Sequence, residues 1–142
     1  MIYFDTSYIV RLYWEDPGWQ KVRSLASADH VASCLLGRAE TLAAFHRKFS
    51  EGFLNSDEMQ ILLNQFQKEC DLGAFQWLPF SSIVIASLHK TYANLSASVH
   101  LRSADAVHLT CAAENGFREI YSNDRQLLVG ADHFGLKGIN II

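Results

Sequence analysis

The sequence predicts an α/β protein, a three-layer α/β/α sandwich whose central, mostly parallel sheet has four to five strands. Short apolar segments without a polar gap alternate with longer segments whose apolar residues recur three and four positions apart. The first pattern is typical of strands covered on both faces of a sheet, and the second is typical of amphipathic helices. Because strand and helix alternate along the chain, we expect a parallel sheet with helices on both faces.

Length and composition indicate one globular domain covering residues 1–142. The chain is 49% hydrophobic and 19% charged, and its net charge is −3. It is long enough to bury a substantial core, but it lacks the basic signature of a nucleic-acid-binding protein. A nucleic-acid substrate would therefore require metal ions or a local basic patch. Three widely spaced cysteines predict a reduced, cytoplasmic protein without structural zinc, and we expect neither secretion nor membrane insertion.

The first half of the chain begins with an uninterrupted apolar strand that ends at Asp5. Asp16 and Pro17 are expected to restart a helix as cap and first residue, and Gly52 is expected to end another. In chain order this half contains a strand at 2–4, helices at 9–14 and 17–26, a strand at 30–33, a helix at 36–51, and a helix that begins at 56–58 and ends at Gly73.

The second half repeats the alternation. Ser81 or Ser82 is expected to cap a helix that ends near residue 92, and Gly116 is expected to end the helix after it. In chain order this half contains a strand at 75–78, helices from 82 to about 92 and at 101–115, a strand at 119–122, a short helix after residue 124, and a strand at 138–142.

Four carboxylates occupy comparable places along this pattern: Asp5 after the first strand, Glu40 near the start of the helix after the second, Asp105 in the opening turn of a later helix, and Asp124 after the fourth strand. Each alone has an ordinary explanation, as a helix cap or as an acid favoured by the helix dipole. The carboxyl ends of parallel strands, however, meet at one edge of the sheet, where α/β proteins bind ligands. We therefore expect the four side chains to face one site.

Carboxylates brought together repel one another unless a cation neutralises them. An all-oxygen set of ligands suits Mg²⁺ or Mn²⁺ better than zinc. Mg²⁺ usually keeps several waters and completes its coordination with substrate phosphates. The pattern thus indicates cleavage of a phosphodiester by metal-activated water.

At these residues the chain resembles the PIN-domain ribonucleases, and within them the short toxins of VapBC toxin–antitoxin pairs. Each motif alone is weak, but their order and the apolar strands before them make the resemblance specific, and it covers essentially the full length. The matching motifs are Ile2-Tyr3-Phe4-Asp5-Thr6-Ser7, Ala32-Ser33 leading to Ala39-Glu40, Leu101-Arg102-Ser103-Ala104-Asp105-Ala106-Val107-His108-Leu109, and Tyr121-Ser122-Asn123-Asp124-Arg125-Gln126-Leu127.

The resemblance implies a PIN-like fold and a metal-dependent endoribonuclease that uses Mg²⁺ or Mn²⁺. Asp5 and Asp105 would be direct metal ligands, and Asp124 would bind the metal directly or through water. Glu40 would be a ligand or would orient the attacking water. Side chains that would fix the carboxylates are those of Thr6, Ser122 and Asn123.

The resemblance also implies partners. The family's toxins cut structured RNA, often transfer RNA or ribosomal RNA, and thereby inhibit translation. They commonly form homodimers, and a VapB-like antitoxin holds them inactive with its C-terminal segment. Because the antitoxin carries the DNA-binding domain, no residue of this chain is expected to read DNA.

Several alternatives remain open at this level. Arg38, Arg102 and Arg125 stand close to the acids in sequence and either contact RNA phosphates or form ordinary surface ion pairs. The apolar segment from Phe53 to Phe66 is either an antitoxin groove, chiefly at Phe53 and Leu54, or core. His100 and His108 flank Asp105, but neither is assigned as a base, and His108 is interpreted as a packed or surface residue.

Two other classes of α/β protein that act on phosphoryl groups do not fit the same residues. A haloacid-dehalogenase-like phosphatase would require an acid at Ser7, and a response-regulator receiver would require one after the strand that ends at Leu78; the chain has neither. The remaining alternative is a catalytically silent PIN-fold module that binds RNA or protein.

Overall fold

The computed structural model describes residues 1–142 and has five strands and seven α-helices in the alternating order that the sequence predicts. The elements are β1 (Ile2–Tyr3), α1 (Thr6–Tyr13), α2 (Trp19–Ala26), β2 (Val31–Cys34), α3 (Leu35–Ser50), α4 (Ser56–Asp71), β3 (Phe75–Leu78), α5 (Ser82–Asn94), α6 (Ser103–Glu114), β4 (Glu119–Tyr121), α7 (Arg125–Gly130) and β5 (Lys137–Ile139), with a 3₁₀ turn at Ala131–Phe134. None of the helices is both long enough and apolar enough to cross a membrane.

All strand pairs are parallel, as predicted. One ladder runs β1-β2-β3 and a second joins β4 to β5. The two ladders meet where Phe4 forms a parallel bridge with Tyr121 and the Asp5 amide donates to the Tyr121 carbonyl over 3.1 Å. The spatial order is therefore β3-β2-β1-β4-β5, and β1 and β4 are neighbours at the centre of the molecule.

Two apolar clusters cover the two faces of this sheet, which explains why the strands lack polar gaps. Tyr3 and Phe4, adjacent in sequence, point to opposite faces and are both fully buried. Helices α1 to α4 pack on the Phe4 face, and helices α6 and α7 pack on the Tyr3 face. The predicted three-layer α/β/α architecture is confirmed.

The start of α2 was predicted wrongly. Asp16 and Pro17 do not begin the helix, because Gly18 adopts a left-handed conformation (φ +84°) and α2 starts at Trp19. The Asp16 carboxylate instead accepts a hydrogen bond from Lys48 on α3 (2.7 Å). Asp16 thus pairs with a lysine of another helix and does not cap α2.

The last strand is also displaced from its prediction, since β5 covers Lys137–Ile139 and not 138–142. The chain leaves the sheet at Asn140, whose side chain accepts hydrogen bonds from the Tyr8 hydroxyl (3.0 Å) and the Ile142 amide (3.0 Å). The Ile141 amide donates to the same Tyr8 hydroxyl. These side-chain contacts replace the strand ladder.

Candidate active site

The four predicted acids line one cleft of about 850 Å³ at the carboxyl ends of the central strands. The turn after β1 contributes Asp5, and the turn after β4 contributes Asp124. Helix α3 contributes Glu40 from its second turn, and α6 contributes Asp105 from its first. Parallel strands that end side by side bring together residues more than a hundred positions apart.

Asp5 combines the two roles that the sequence left open. Its carboxylate caps α1 by accepting the Tyr8 amide (3.2 Å), and it lines the cleft with only 4% of its surface exposed. The hydroxyls of Ser7 (2.7 Å) and Ser122 (2.5 Å) donate to its two oxygens. Burial raises the pKa of Asp5, although these three hydrogen bonds oppose the shift.

Asp105 and Asp124 share one arginine. Arg102 Nε donates to Asp105 (3.0 Å), and Arg102 Nη2 donates to Asp124 (2.6 Å). The second oxygen of Asp124 caps α7 through the amides of Gln126 and Leu127. Burial, together with the charge of Asp124, raises the pKa of Asp105 against the opposing effect of Arg102. Arg102 therefore compensates only in part for the burial of Asp105 and for the nearby charge of Asp124.

Glu40 is held by a buried chain of polar groups that the sequence analysis did not assign. Its Oε1 accepts from Thr6 Oγ1 (2.8 Å) and lies 2.7 Å from His108 Nε2. On its other side the His108 ring shares a hydrogen bond with the Tyr3 hydroxyl (2.9 Å), which also accepts the Cys34 amide (3.0 Å). Of the two interpretations left open for His108, packed or surface residue, the structure shows the packed one, since His108 is only 2% exposed, and it packs as the partner of an acid.

The Glu40–His108 contact favours the charged pair. Burial alone would lower the pKa of His108, but the hydrogen bond and charge of Glu40 outweigh burial, so the pKa of His108 lies above its ordinary value. Burial likewise opposes ionisation of Glu40, and His108 outweighs it, which lowers the pKa of Glu40. One signal in the sequence could have placed His108 near the site, though not identified its partner: His108 lies three residues after Asp105, on the same face of α6.

The predicted supporting residues differ in what they contact. Ser122 Oγ donates to Asp5 and accepts the Asp124 amide (2.8 Å), while Thr6 contacts Glu40. The side chain of Asn123 contacts Asn140 and none of the acids.

Ser7, which the sequence analysis did not assign, connects two turns of the site. Its hydroxyl donates to Asp5 and accepts the Asn123 amide (3.0 Å). It therefore takes the supporting position that Asn123 was expected to fill.

Of the three predicted RNA-contacting arginines, only Arg102 lines the cleft. Arg38 lies 3.9 Å from Asp71 on α4, because residues two apart on a helix, such as Arg38 and Glu40, face different directions. Arg125 borders a separate concavity beside α7. The cleft is lined instead by three other basic residues: Arg11, Arg47 and Lys48.

The apolar segment after α3 divides as the two interpretations allowed. Met59, Leu62 and Phe66 are buried in the core, and Leu54 is half-buried against it. Phe53 is 61% exposed and contacts the ring of Trp14 (6.3 Å between centroids).

The side chains that could bind a metal ion in the cleft suit a hard divalent cation, because each acid offers carboxylate oxygens as ligands. Burial raises the pKa of Asp5, so a nearby cation would favour its ionised form. As the side chains stand, no three acidic, histidine or cysteine side chains are grouped closely enough to chelate one ion. Arg102, whose side chain is 63% exposed, bridges two of the acids and supplies part of the positive charge.

Comparison with known proteins places the fold. A family model described as the PIN domain matches residues 2–131. No curated protein matches the sequence. Among solved structures, FitAcB from Neisseria gonorrhoeae superposes with a TM-score of 0.78 at 17% identity, covering 99% of this chain and 97% of that chain.

Two further solved structures are similar. VapBC2 from Rickettsia felis, bound to a DNA fragment from its promoter, gives a TM-score of 0.69 at 16% identity and covers 99% of this chain and 98% of that one. A toxin–antitoxin complex from Klebsiella pneumoniae gives 0.64 at 14% identity, covering 98% and 96%. At such identities the likeness establishes the shared fold.

Proposed function

This chain belongs to the PIN-domain family, and we propose that it is a metal-dependent endoribonuclease, the VapC-like toxin of a type II toxin–antitoxin pair, which inhibits translation by cutting RNA. One observation carries the proposal. Four carboxylates from four separate segments line a single cleft, although burial and mutual repulsion disfavour that arrangement. A site of this kind is costly for stability, and metal-assisted hydrolysis is the chemistry that it serves best.

The residues that would hold Mg²⁺ or Mn²⁺ are Asp5 and Asp105, together with Asp124 and Glu40. A bound divalent cation supplies activation of water and neutralisation of the phosphate charge. Asp5 and Asp105 are the most buried of the acids and have raised pKa values, both mainly because of burial. They are therefore the carboxylates that gain most from a cation.

The chain's own groups orient these acids. Ser7 and Ser122 hold the two oxygens of Asp5. Thr6 and His108 occupy Oε1 of Glu40, which leaves Oε2 free to accept a proton or hydrogen bond from an attacking water. Fixed carboxylate orientations reduce the reorganisation needed at the moment of reaction.

Arg102 is the basic side chain of this arrangement that lies nearest to two of the acids. It is largely exposed and pairs with Asp105 and Asp124. The pair with Asp124 is partly exposed on both sides, and such ion pairs contribute little to stability, so the guanidinium can exchange the Asp124 carboxylate for a substrate phosphate at small cost. Arg102 then stabilises negative charge on the phosphate.

We propose a VapB-like antitoxin as the protein partner and a homodimer as the assembly. The support is that the similar solved structures include a toxin–antitoxin complex and VapBC2 bound to promoter DNA. In this proposal DNA contact comes only through the antitoxin. The substrate is structured RNA, such as transfer RNA or ribosomal RNA.

A catalytically silent PIN-fold module that binds RNA or protein is the second candidate. The observation that favours it is that the acids are not grouped to chelate one ion as they stand, while Arg102 already bridges Asp105 and Asp124. In that function the cleft would bind a ligand without cutting it.

Cleavage of total RNA by the purified, antitoxin-free protein separates the two candidates. We expect discrete fragments with Mg²⁺ or Mn²⁺ and none with EDTA. Asp5→Asn and Asp105→Asn, shown by circular dichroism to be folded, should each lower the cleavage rate by at least about a hundredfold. Asp57→Asn, at an exposed acid on α4, is the matched control and should cut normally. Intact RNA with the wild type, or equal cutting by the variants, would overturn the nuclease proposal in favour of the silent module.

A further inference from the structure

The cleft extends past the acids into a second half that carries positive charge. This half is lined by Arg11 of α1 and by Arg47 and Lys48 of α3, with Asp16 and Glu51 as its carboxylates. We call Arg11, Arg47 and Lys48 the basic wall. This half contains three basic side chains and two carboxylates, so basic groups are in excess. At the other half, which we call the acid end, four carboxylates face Arg102 and His108, so acidic groups are in excess.

Arg11 is a buried charge without an ionic partner. Only 7% of the residue is exposed, and it forms no ion pair. Its Nε donates to the Pro17 carbonyl (2.9 Å) and its Nη1 to the Ser7 carbonyl (2.8 Å), whereas Nη2 forms no hydrogen bond within the protein and is not fully enclosed. Arg11 lines the cleft and has no counter-charge of its own, so an anion in the cleft could bind Nη2 and neutralise the guanidinium.

Arg47 and Lys48 continue the basic wall toward solvent. Arg47 is exposed, and its side chain forms neither a hydrogen bond nor an ion pair. Lys48 pairs with Asp16 and lies over the rings of Trp14 (5.4 Å) and Phe53 (5.9 Å). The basic wall therefore leads from the buried Arg11 to a partly exposed aromatic pair.

We infer that the basic wall binds the phosphate backbone of the RNA strand beyond the scissile bond, while the Trp14–Phe53 pair stacks against a base. The inference rests on the proposed nuclease function and gives the path of its substrate. A phosphate at Arg11 and Arg47 neutralises the unpaired guanidinium and continues the strand that the acid end would cut.

The aromatic pair favours nucleic acid over an acidic peptide. Cations alone bind any anion, but cations interleaved with exposed aromatic rings form the usual platform for single-stranded bases. Trp14 and Phe53 are held at 68° to one another beneath Lys48, and Phe53 is the most exposed phenylalanine of the chain. The local basic patch that a chain of net charge −3 needs for RNA is thus present in this cleft.

The test is equilibrium binding of a short, fluorescently labelled single-stranded RNA, measured by anisotropy with EDTA over a range of salt concentrations. All proteins carry Asp105→Asn, so that cleavage does not interfere. Arg47→Gln removes an exposed, unpaired charge and should not affect folding. We expect it to weaken RNA binding about three- to tenfold and to reduce the salt slope by about 0.7, the value for one phosphate contact on a single strand.

Three further variants test which side chains contact the RNA. Phe53→Ala should weaken binding by roughly fivefold or more without changing the salt slope, because it removes stacking and no charge. Arg118→Gln, at an exposed arginine outside the cleft, is the matched control and should behave as the background protein. Arg11→Lys keeps the buried charge with fewer donors, and its melting temperature identifies any loss of folding.

Unchanged affinity and salt slope in Arg47→Gln would overturn the inference. So would an Arg47-dependent affinity for an acidic peptide with no such dependence for RNA. The binding and cleavage assays together distinguish failure of this inference from failure of the proposed function. RNA cleavage by the wild type with an unchanged Arg47→Gln variant rejects only the basic wall, whereas Arg47-dependent binding without any cleavage keeps the basic wall and rejects the nuclease.

Discussion

A single hydroxyl group, Ser122 Oγ, holds two acids of the cleft in place. It donates to Asp5 over 2.5 Å and accepts the Asp124 amide over 2.8 Å. Groups that orient acidic ligands typically affect metal affinity or activity by ten- to a hundredfold. The geometry of the site therefore depends on a residue that need not touch metal or substrate.

We expect Ser122→Ala to lower the RNA cleavage rate by about ten- to a hundredfold and to raise the Mn²⁺ concentration needed for half-maximal cleavage. The part-buried Asp124 amide also loses its partner, which should cost about 1 kcal/mol in the free energy of unfolding, measured with urea. Ser27→Ala, whose hydroxyl contacts only a local carbonyl on the surface, is the control. An unchanged metal dependence in Ser122→Ala would contradict the role in orientation.

The acids and their partners differ in how far the sequence reveals them. Asp5 and Asp124 could be predicted to lie together because each ends a strand of one parallel sheet. His108 and Ser7 could not be assigned in the same way. Their contacts depend on which way a side chain points, and His108 meets Glu40 across 68 positions of the chain.

Helix α3 approaches the site closely at Gly37. A Cβ atom at this position would lie 2.9 Å from Ser33 Oγ, 3.1 Å from His108 Cε1 and 3.4 Å from Thr6 Oγ1. The first of these distances is too short for a real contact, and two of the three neighbours hold Glu40. The absence of a side chain at Gly37 thus allows α3 to present Glu40 to the cleft.

Gly37→Ala should therefore disturb the site and the packing together. We expect a loss of about 1–3 kcal/mol in unfolding free energy from overpacking, with slower cleavage by the molecules that remain folded. Gly73→Ala is the contrasting control. Gly73 has a φ of +78° and open space around it, so strain should cost about 1 kcal/mol or more while the cleavage rate per folded molecule stays normal. Equal cleavage by both variants would show that α3 tolerates displacement.

At the level of elements, alternation and apolar periodicity were sufficient to predict the order of strands and helices. They failed where a side chain distant in the sequence replaces the local hydrogen bond that the pattern predicts. The Asp16 carboxylate accepts a hydrogen bond from Lys48. Tyr8 donates a hydrogen bond to the Asn140 side chain and accepts one from the Ile141 amide. Those competitors belong to other helices, so no local pattern could reveal them.

Across the whole molecule, charge is separated within one cleft. The net charge of −3 suggested little affinity for nucleic acid, yet the cleft has an acid end and the basic wall side by side. The net charge of the chain sums over the acid end and the basic wall and therefore hides each of them. Only the fold, by placing α1 and α3 beside the turns after β1 and β4, shows that opposite charges are adjacent.

The acid end should make the stability of the whole molecule depend on divalent cations. The raised pKa of Asp105, caused mainly by burial, means that folding favours the protonated form, so stability falls as pH rises from the ordinary carboxyl pKa to the folded value. At neutral pH the ionised group therefore costs stability. With EDTA we expect Asp105→Asn to melt at or above the temperature of the wild type.

A bound cation should make the wild type melt at a higher temperature than Asp105→Asn. A ligand at about a hundred times its Kd adds about 2.7 kcal/mol, which raises the melting temperature of a domain of this size by roughly 5–10 °C. Differential scanning fluorimetry with Mn²⁺ should show this rise for the wild type and Asp132→Asn, which lies outside the cleft, but little for Asp105→Asn. Potassium chloride at matched ionic strength controls for screening of the acids. Equal rises in all three proteins, or a rise that potassium reproduces, would mean that the carboxylates gather in the cleft without binding a metal.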